Sequence, residues 1–305
     1  MDHLEKLKKA RVLVTGGVGY LGRNLISQLI QYGCTDVHSI DLESTEEKNP
    51  NITFHQVNLL DASSLTDTVK SIHPTLVYHL AANLNRSRDF SNVKSLMDVN
   101  FTGTVNILTA LEDIPYENFI YTSTSEVYGG KDIIPPFREK DDFIPASPYS
   151  MSKYCGEVAL KTFSEIKGKE YTILRMFNFL GLNMPTNFFP SQLKEKLNRN
   201  EDFQMTLGEQ VRDYLYLNDV IEALILAGVT EKVNQVYNVC SGHGISVREL
   251  AEKAKLKMDS KSNIQFGAIP YRDNEVWNMV GDNSKIKDNL GWSPKHSIWK
   301  YFEEQ

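Results

Sequence analysis

The stretch TGGVGYLG, residues 15–22, decides the fold. It places Gly16, Gly19 and Gly22 three residues apart, after the apolar run Arg11–Thr15 and ahead of Leu21–Tyr32, whose apolar residues recur at helical spacing. Glycines at such a turn let it close tightly, let backbone approach a pyrophosphate, and let the helix pack on its strand. The helix N-terminus then offers free N–H groups to the anion. A glycine triplet alone is common in surface turns. Here a strand before, a helix after and an acid downstream agree on a dinucleotide turn. The acid is Asp41, closing the second expected strand 19 residues beyond Gly22. Its carboxylate can accept from both adenosine ribose hydroxyls and would repel the 2′-phosphate of NADP. The following LESTEE brings no arginine to offset that repulsion, so NAD is the expected cofactor.

Outward from this turn, strands are expected at 37–41, 52–57, 75–79, 119–122 and 171–175. Helices are expected at 63–72, with Asp61 or Ser63 as cap, at 91–111, and at 149–165 behind Pro148. Such alternation predicts an α/β chain of Rossmann type, a doubly wound parallel sheet covered on both faces. From about residue 180 the rhythm breaks, although 219–227 and 246–255 still read as helices. Residues 1–178 are therefore expected to form an NAD-binding domain, with about 208–240 returning to it. Residues 179–305 are expected to form mainly a smaller C-terminal substrate lobe.

Length and composition limit the function classes. The 305 residues are 41% hydrophobic and 24% charged, as in a soluble globular protein able to bury a full core. A net charge of -6 gives no reason to expect a nucleic-acid or anionic-membrane partner. Cys34, Cys155 and Cys240 have no metal-ligand spacing, which fits a reducing compartment and argues against a metal site. MDHLEKLKKA has no apolar core of a signal peptide, and no apolar run reaches the roughly 20 residues that span a bilayer. The expected location is cytoplasmic.

Two further stretches carry chemistry. SPYSMSKYCGE sets Tyr149 and Lys153 four apart, on one face of a helix. A tyrosine is a weak base at neutral pH, and a neighbouring ammonium favours its phenolate. By itself Tyr-x-x-x-Lys is most often a surface pair, but here it follows a nucleotide-binding half. It also follows YTSTSEVYG, residues 121–129, in which an apolar strand ends in the hydroxyls Thr122 to Ser125 and the carboxylate Glu126.

On TGGVGYLG, Asp41, LAAN at 80–83, TSTSEVYG, YSMSK, RMFN at 175–178 and GEQVRDYLYLNDV at 208–220, the chain resembles the extended short-chain dehydrogenase/reductases. Within them it is similar to the NAD-dependent nucleotide-sugar epimerase/dehydratase family. The resemblance implies that Thr124 completes a triad with Tyr149 and Lys153. Thr124 would hydrogen-bond the sugar C4 oxygen while Tyr149 moves the proton and NAD exchanges the C4 hydride; Lys153 would also hold the nicotinamide ribose. Asn58 would stand where relatives carry an adenine-contacting Asp. Ala81 and Ala82 would line the cofactor site and Phe177 would pack near the nicotinamide; Tyr20, Leu21, Leu42, Leu59 and Leu80 complete that set. Asn178 and Arg212 would meet the substrate diphosphate, unless Arg212 simply pairs with Asp213 or Asp219. Arg272 and Glu275 would touch nucleotide or sugar, or form a surface loop pair. A homodimer is implied through helices 92–111 and 149–165, with Val93, Leu96, Met97, Val105 and Leu108 facing either the partner or the sheet.

The resemblance leaves the reaction divided. Thr124-Ser125-Glu126 resembles the Thr-Ser-Glu of GDP-mannose dehydratases and UDP-glucuronate decarboxylases. Glu126 would then remove a C5 proton with Ser125 assisting, or else hold the loop. The C-terminal IQFGAIPYRDNEVWNMVGDNSKIKDNLGWSPKHSI resembles CDP-abequose and CDP-paratose synthases, which are 4-reductases of nucleotide-linked 4-keto-6-deoxy sugars in surface-polysaccharide synthesis. The expectation therefore leans to such a reductase, with epimerase, dehydratase or decarboxylase beside it. Asp41 pulls the other way, because net reductases more often draw on NADPH. A non-catalytic dinucleotide sensor or a pure interaction module is disfavoured by the intact triad and cofactor turn.

Overall fold

The protein, seen in a computed structural model that describes residues 3–45, 49–129, 134–141 and 144–304, forms two compact units. One comprises Met1–Val127, Pro145–Arg175 and Ile221–Tyr237; the other comprises Tyr128–Ile144, Met176–Val220 and Asn238–Gln305. The segment rejoining the first unit is thus Ile221–Tyr237, while residues 208–220 belong with the second.

In the first unit, strands β1 (Val12–Thr15), β2 (Val37–Asp41), β3 (Ile52–Gln56), β4 (Leu76–His79), β5 (Asn118–Thr124) and β6 (Tyr171–Met176) share a sheet with Gln235–Val239. Among the described residues this sheet has seven strands, ordered Gln235–Val239, β6, β5, β4, β1, β2, β3. Strand β1 pairs in parallel with both β2 and β4, Val12 lying opposite Val37 and Leu76. The chain runs outward from β1 to β3, then restarts on the other side with β4. The carboxyl ends of β1 and β4 therefore flank the reversal point, where sheets of this class bind ligands. Every residue of β1 is buried, as a central parallel strand covered on both faces requires.

Helix Tyr20–Gln31 buries Gly22, Leu25, Ile26 and Leu29, one stripe at helical spacing. Helix Ala62–Ile72 is capped by Asp61, whose side chain accepts the Ser64 N–H, and not by Ser63. The expected single helix at 91–111 is composite: a 3-10 turn Phe90–Asn92, an α segment Val93–Met97, a π segment Asp98–Thr102 and an α segment Gly103–Ala110. Within the π turn Asn100 is buried and hydrogen-bonded to two other segments, the kind of local demand that such bulges serve. Leu96 and Leu108 are buried within the chain, while Val93, Met97 and Val105 stay half-buried. Helix Pro148–Lys167 starts with Pro148 behind a reciprocal cap, in which Ser147 and Ser150 each accept the other's backbone N–H. Leu13, Val77, Phe119, Tyr121, Leu160 and Ile173 are among the residues that close the core over the sheet.

The second unit centres on the strand Val211–Tyr216. It pairs antiparallel with Gly244–Ser246 and parallel with Asn278–Met279 and Asn178–Leu180. Asp213 is fully buried on it and accepts from the Ser241 N–H (2.7 Å), the Ser241 hydroxyl (2.6 Å) and the Gly242 N–H (2.9 Å). Burial pushes its carboxyl up, and these hydrogen bonds pull it back. No helix among the described residues is long and apolar enough to cross a membrane.

Candidate active site

The glycine turn sits on the carboxyl end of β1, pressed against the segment that leaves β4. A Cβ on Gly16, whose φ is +73°, would come within 2.7 Å of the Ala81 nitrogen. A Cβ on Gly22 would come within 2.2 Å of the Gly16 carbonyl oxygen, so the helix lies on the turn at a distance only glycine permits. Gly19 is exposed, and the first turn of its helix has no side-chain cap, which leaves its N–H groups open to an anion. Asp41 is drawn against this turn: one carboxylate oxygen accepts the Val18 N–H at 3.0 Å and the other the Glu43 N–H at 3.2 Å. Glu46 and Glu47 of the run after it lie outside the described residues. An open anion cradle beside a fixed carboxylate fits the pyrophosphate and ribose of a dinucleotide.

The other expected cofactor residues vary in their commitments. Tyr20, Leu21, Leu80, Ala81 and Ala82 are half-buried around the turn, and Leu80 donates its N–H to the Thr15 carbonyl at 3.1 Å. Leu42 is exposed. Asn58 is exposed too, but its side-chain oxygen already accepts the Leu60 N–H at 2.9 Å. Leu59 packs its side chain in the core.

Thr124 ends β5, and Tyr149 and Lys153 lie one turn apart on helix Pro148–Lys167; all three are buried. The Thr124 hydroxyl accepts the Glu126 N–H at 3.2 Å, which fixes its rotamer. Lys153 lies with Nζ 4.3 Å from the Tyr121 ring centroid, a cation–π contact. Burial pulls its pKa down to about 7, against the opposing pull of Glu157. Arg86, which the sequence reading did not single out, lies with its guanidinium carbon 5.7 Å from the Tyr149 ring centroid. Burial raises the Tyr149 phenol, Arg86 pulls it down and Glu126 pushes it up. Ser125 is buried in the 3-10 turn that follows β5.

Behind these groups lie residues that the sequence reading missed. Glu157 is fully buried and held by Arg175 through Nε (3.0 Å) and a terminal nitrogen (2.8 Å), and by the Ser123 hydroxyl (2.5 Å). Its signal was present, since Glu157 falls four residues after Lys153 on the same helix face. Asn100 ties the loop after β4 to helix Pro148–Lys167: it accepts the Asn83 N–H (2.7 Å) and donates to the Asn83 carbonyl (3.0 Å) and Ser152 hydroxyl (2.9 Å). His79 bridges the Thr15 and Thr104 hydroxyls at 2.7 and 3.0 Å, and burial holds its pKa at about 3, so it is neutral. Glu126 accepts from the Ser147 hydroxyl at 3.1 Å and lies 3.9 Å from Arg86 Nε.

The second unit carries the remaining candidates. Asn178 donates weakly to the Asp213 carbonyl at 3.5 Å, and Phe177 is buried so close to Gly281 that a Cβ there would stand 2.5 Å from its ring. Arg212 pairs with neither Asp213 nor Asp219. Its guanidinium is clamped by the Glu275 carboxylate (2.5 Å) and the carbonyls of Val276 (2.7 Å) and Val211 (2.8 Å). Asp213 serves the Ser241–Gly242 turn, and Asp219 accepts the Lys295 and His296 N–H groups, each at 3.0 Å. The structure thus joins two residues, Arg212 and Glu275, that the sequence had kept apart. Arg272 is exposed.

The sequence model of the family described as GDP-mannose 4,6 dehydratase matches residues 13–305. A UDP-glucose 4-epimerase of Mycoplasma pneumoniae is 29% identical, over 97% of this chain and 96% of its own length. Among solved structures, the UDP-glucose 4-epimerase of Thermotoga maritima with UDP-glucose superposes with a TM-score of 0.89 at 28% identity, over 96% of each chain. That of Thermus thermophilus, in complex with NAD, gives 0.85 at 26% identity, again over 96% of each chain.

Proposed function

Because the chain belongs to the GDP-mannose 4,6 dehydratase family of nucleotide-sugar epimerases, dehydratases and decarboxylases, we propose that it is an NAD-dependent 4-epimerase of a nucleotide-activated hexose. The observation that carries the choice is the engagement of Glu126. A dehydratase would use this carboxylate as a base at C5, yet here it accepts from Ser147, the cap of the catalytic helix, and faces Arg86. One of its oxygens is thereby taken up at the start of the helix that carries Tyr149. The 4-reductase suggested by the C-terminal resemblance stands second, because Asp41 favours NAD, the cofactor that family members recycle internally.

In this reading the Tyr149 phenolate takes the proton of the sugar C4 hydroxyl, and the Thr124 hydroxyl orients the same oxygen. When bound, NAD supplies the acceptor for the C4 hydride and then its donor. Lys153 and Asp41 would hold the two ribose ends, and the uncapped first-turn N–H groups of helix Tyr20–Gln31 would meet the pyrophosphate. Arg212, kept in place by Glu275, and Asn178 are the candidates for the substrate diphosphate, and inversion requires the keto sugar to turn the other face of C4 for the hydride's return. Tyr149 then returns its proton to the C4 oxygen. Burial of Thr124, Tyr149 and Lys153 keeps water from that exchange.

UDP-glucose, the ligand of the T. maritima structure, is the first substrate to test. Incubated with the purified protein and NAD, it should give UDP-galactose by NMR with no net change in reduced nicotinamide. A 4-keto-6-deoxy product would contradict the assignment in favour of a dehydratase. Consumption of NADH by a 4-keto-6-deoxy sugar, without epimer from the parent hexose, would establish the reductase instead.

A further inference from the structure

The loop between β4 and the composite helix brings a charged side chain to the Tyr149 ring that no motif announces. Residues 83–91 form a relay of short turns: Asn83 accepts the Asn85 N–H (3.1 Å), Asn85 the Ser87 N–H (3.0 Å), and Ser87 the Asp89 N–H (3.1 Å). Both sides of the loop are anchored. Before Arg86, Asn83 exchanges two hydrogen bonds with Asn100, and after it Arg88 donates to the Ala146 carbonyl, two residues ahead of the catalytic helix. Arg86 is thereby aimed rather than left to wander. Its guanidinium carbon sits 5.7 Å from the Tyr149 ring centroid and its Nε 3.9 Å from the Glu126 carboxylate.

We propose that Arg86 is a positioning residue for proton transfer: held by Glu126, its guanidinium biases Tyr149 toward the phenolate. The inference rests on Tyr149 being the proton carrier and adds who sets its proton affinity. The charged and titratable groups around that phenol are Arg86 from the loop, Glu126 from the turn after β5, Tyr121 from β5 and Lys153 from its own helix. Of the two cations, Lys153 is turned onto the Tyr121 ring, while Arg86 faces Tyr149. Burial favours the neutral phenol, Arg86 opposes it and Glu126 reinforces it, so the Arg86–Glu126 pair works as two opposed charges on one proton. The Arg86 side chain is 42% exposed, so solvent and salt screen part of its effect.

The test needs no sugar. Phenolate absorbance is titrated with pH for the NAD-loaded protein and for its Tyr149→Phe variant, and the difference isolates Tyr149 from the other tyrosines. The same subtraction is made in Arg86→Gln, Arg86→Lys and Glu126→Gln backgrounds. An opposite charge at this range shifts a pKa by about one pH unit once solvent screening is allowed for. Removing the cation should therefore raise the Tyr149 midpoint by roughly that much in Arg86→Gln, and Arg86→Lys should restore most of it. Removing the anion in Glu126→Gln should lower it. An unmoved midpoint in Arg86→Gln, or shifts of the same sign in both variants, would overturn the proposal. The titration is independent of turnover, so an inactive sugar screen would count against the epimerase reading and leave this result standing.

Discussion

Tyr149→Phe should lower the rate of the proposed C4 epimerisation by roughly 10²–10⁴-fold, the contribution typical of a positioned acid–base group. The substitution removes one oxygen from a buried ring, so the helix and its Ser147 cap persist, and nucleotide-sugar affinity should change little. The expected pattern is a fall in kcat with KM nearly constant, because on the proposed reading the phenol acts on the proton of the C4 hydroxyl and does not hold the diphosphate. Calorimetry with UDP-glucose would confirm that binding survives. A variant that keeps kcat within about tenfold of the parent contradicts the assignment of Tyr149 as the proton carrier.

Glu157→Leu should produce the largest loss of stability in the first unit. Glu157 and Arg175 are almost wholly buried, and removing the carboxylate takes away the anion that faces the buried guanidinium. Breaking a buried pair in this way costs about 3–5 kcal/mol. For a chain of this size that corresponds to a melting temperature lower by roughly 5–8 °C. Replacing both members, Glu157→Leu with Arg175→Met, should return part of the loss, since the buried guanidinium goes with its carboxylate although the Ser123 hydroxyl still loses its acceptor. Thermal unfolding of the two single variants and the double variant measures this directly. Equal melting temperatures for Glu157→Leu and the parent would show that the pair is not what holds the helix to the sheet.

Lys153, on the same helix, works against stability. Its folded pKa of about 7 lies below the ordinary lysine value of 10.5, so the unfolded chain holds that proton more tightly. Its contribution makes the native state progressively less stable as pH falls from the lysine range to about 7, and adds no further slope below that.

The fold and the candidate triad residues were legible because they rest on local signals. The glycine spacing at 16, 19 and 22, the acid at 41 and the four-residue step from Tyr149 to Lys153 each express the geometry of one turn or one helix. The hidden features depend on distant chain meeting in space. Nothing near Arg86 in the sequence announces Tyr149, because a loop of Asx and Ser turns has no period to read. Arg212 invited pairing with its neighbours Asp213 and Asp219, yet a strand turns successive side chains to opposite faces, and the partner is Glu275, some sixty residues on. The π turn at Asp98–Thr102 escaped for the same reason: apolar spacing reports a helix, and only the hydrogen bonds of Asn100 require it to bulge.

The claim that hydride leaves C4 of the sugar and returns to it is tested most directly with UDP-glucose carrying deuterium at C4. With NAD-loaded protein in ordinary water, the epimeric product should keep its deuterium at C4, and turnover should be slower than for the unlabelled sugar. Loss of the label to solvent, or full retention with no slowing and no reduced nicotinamide under quenching, would contradict it.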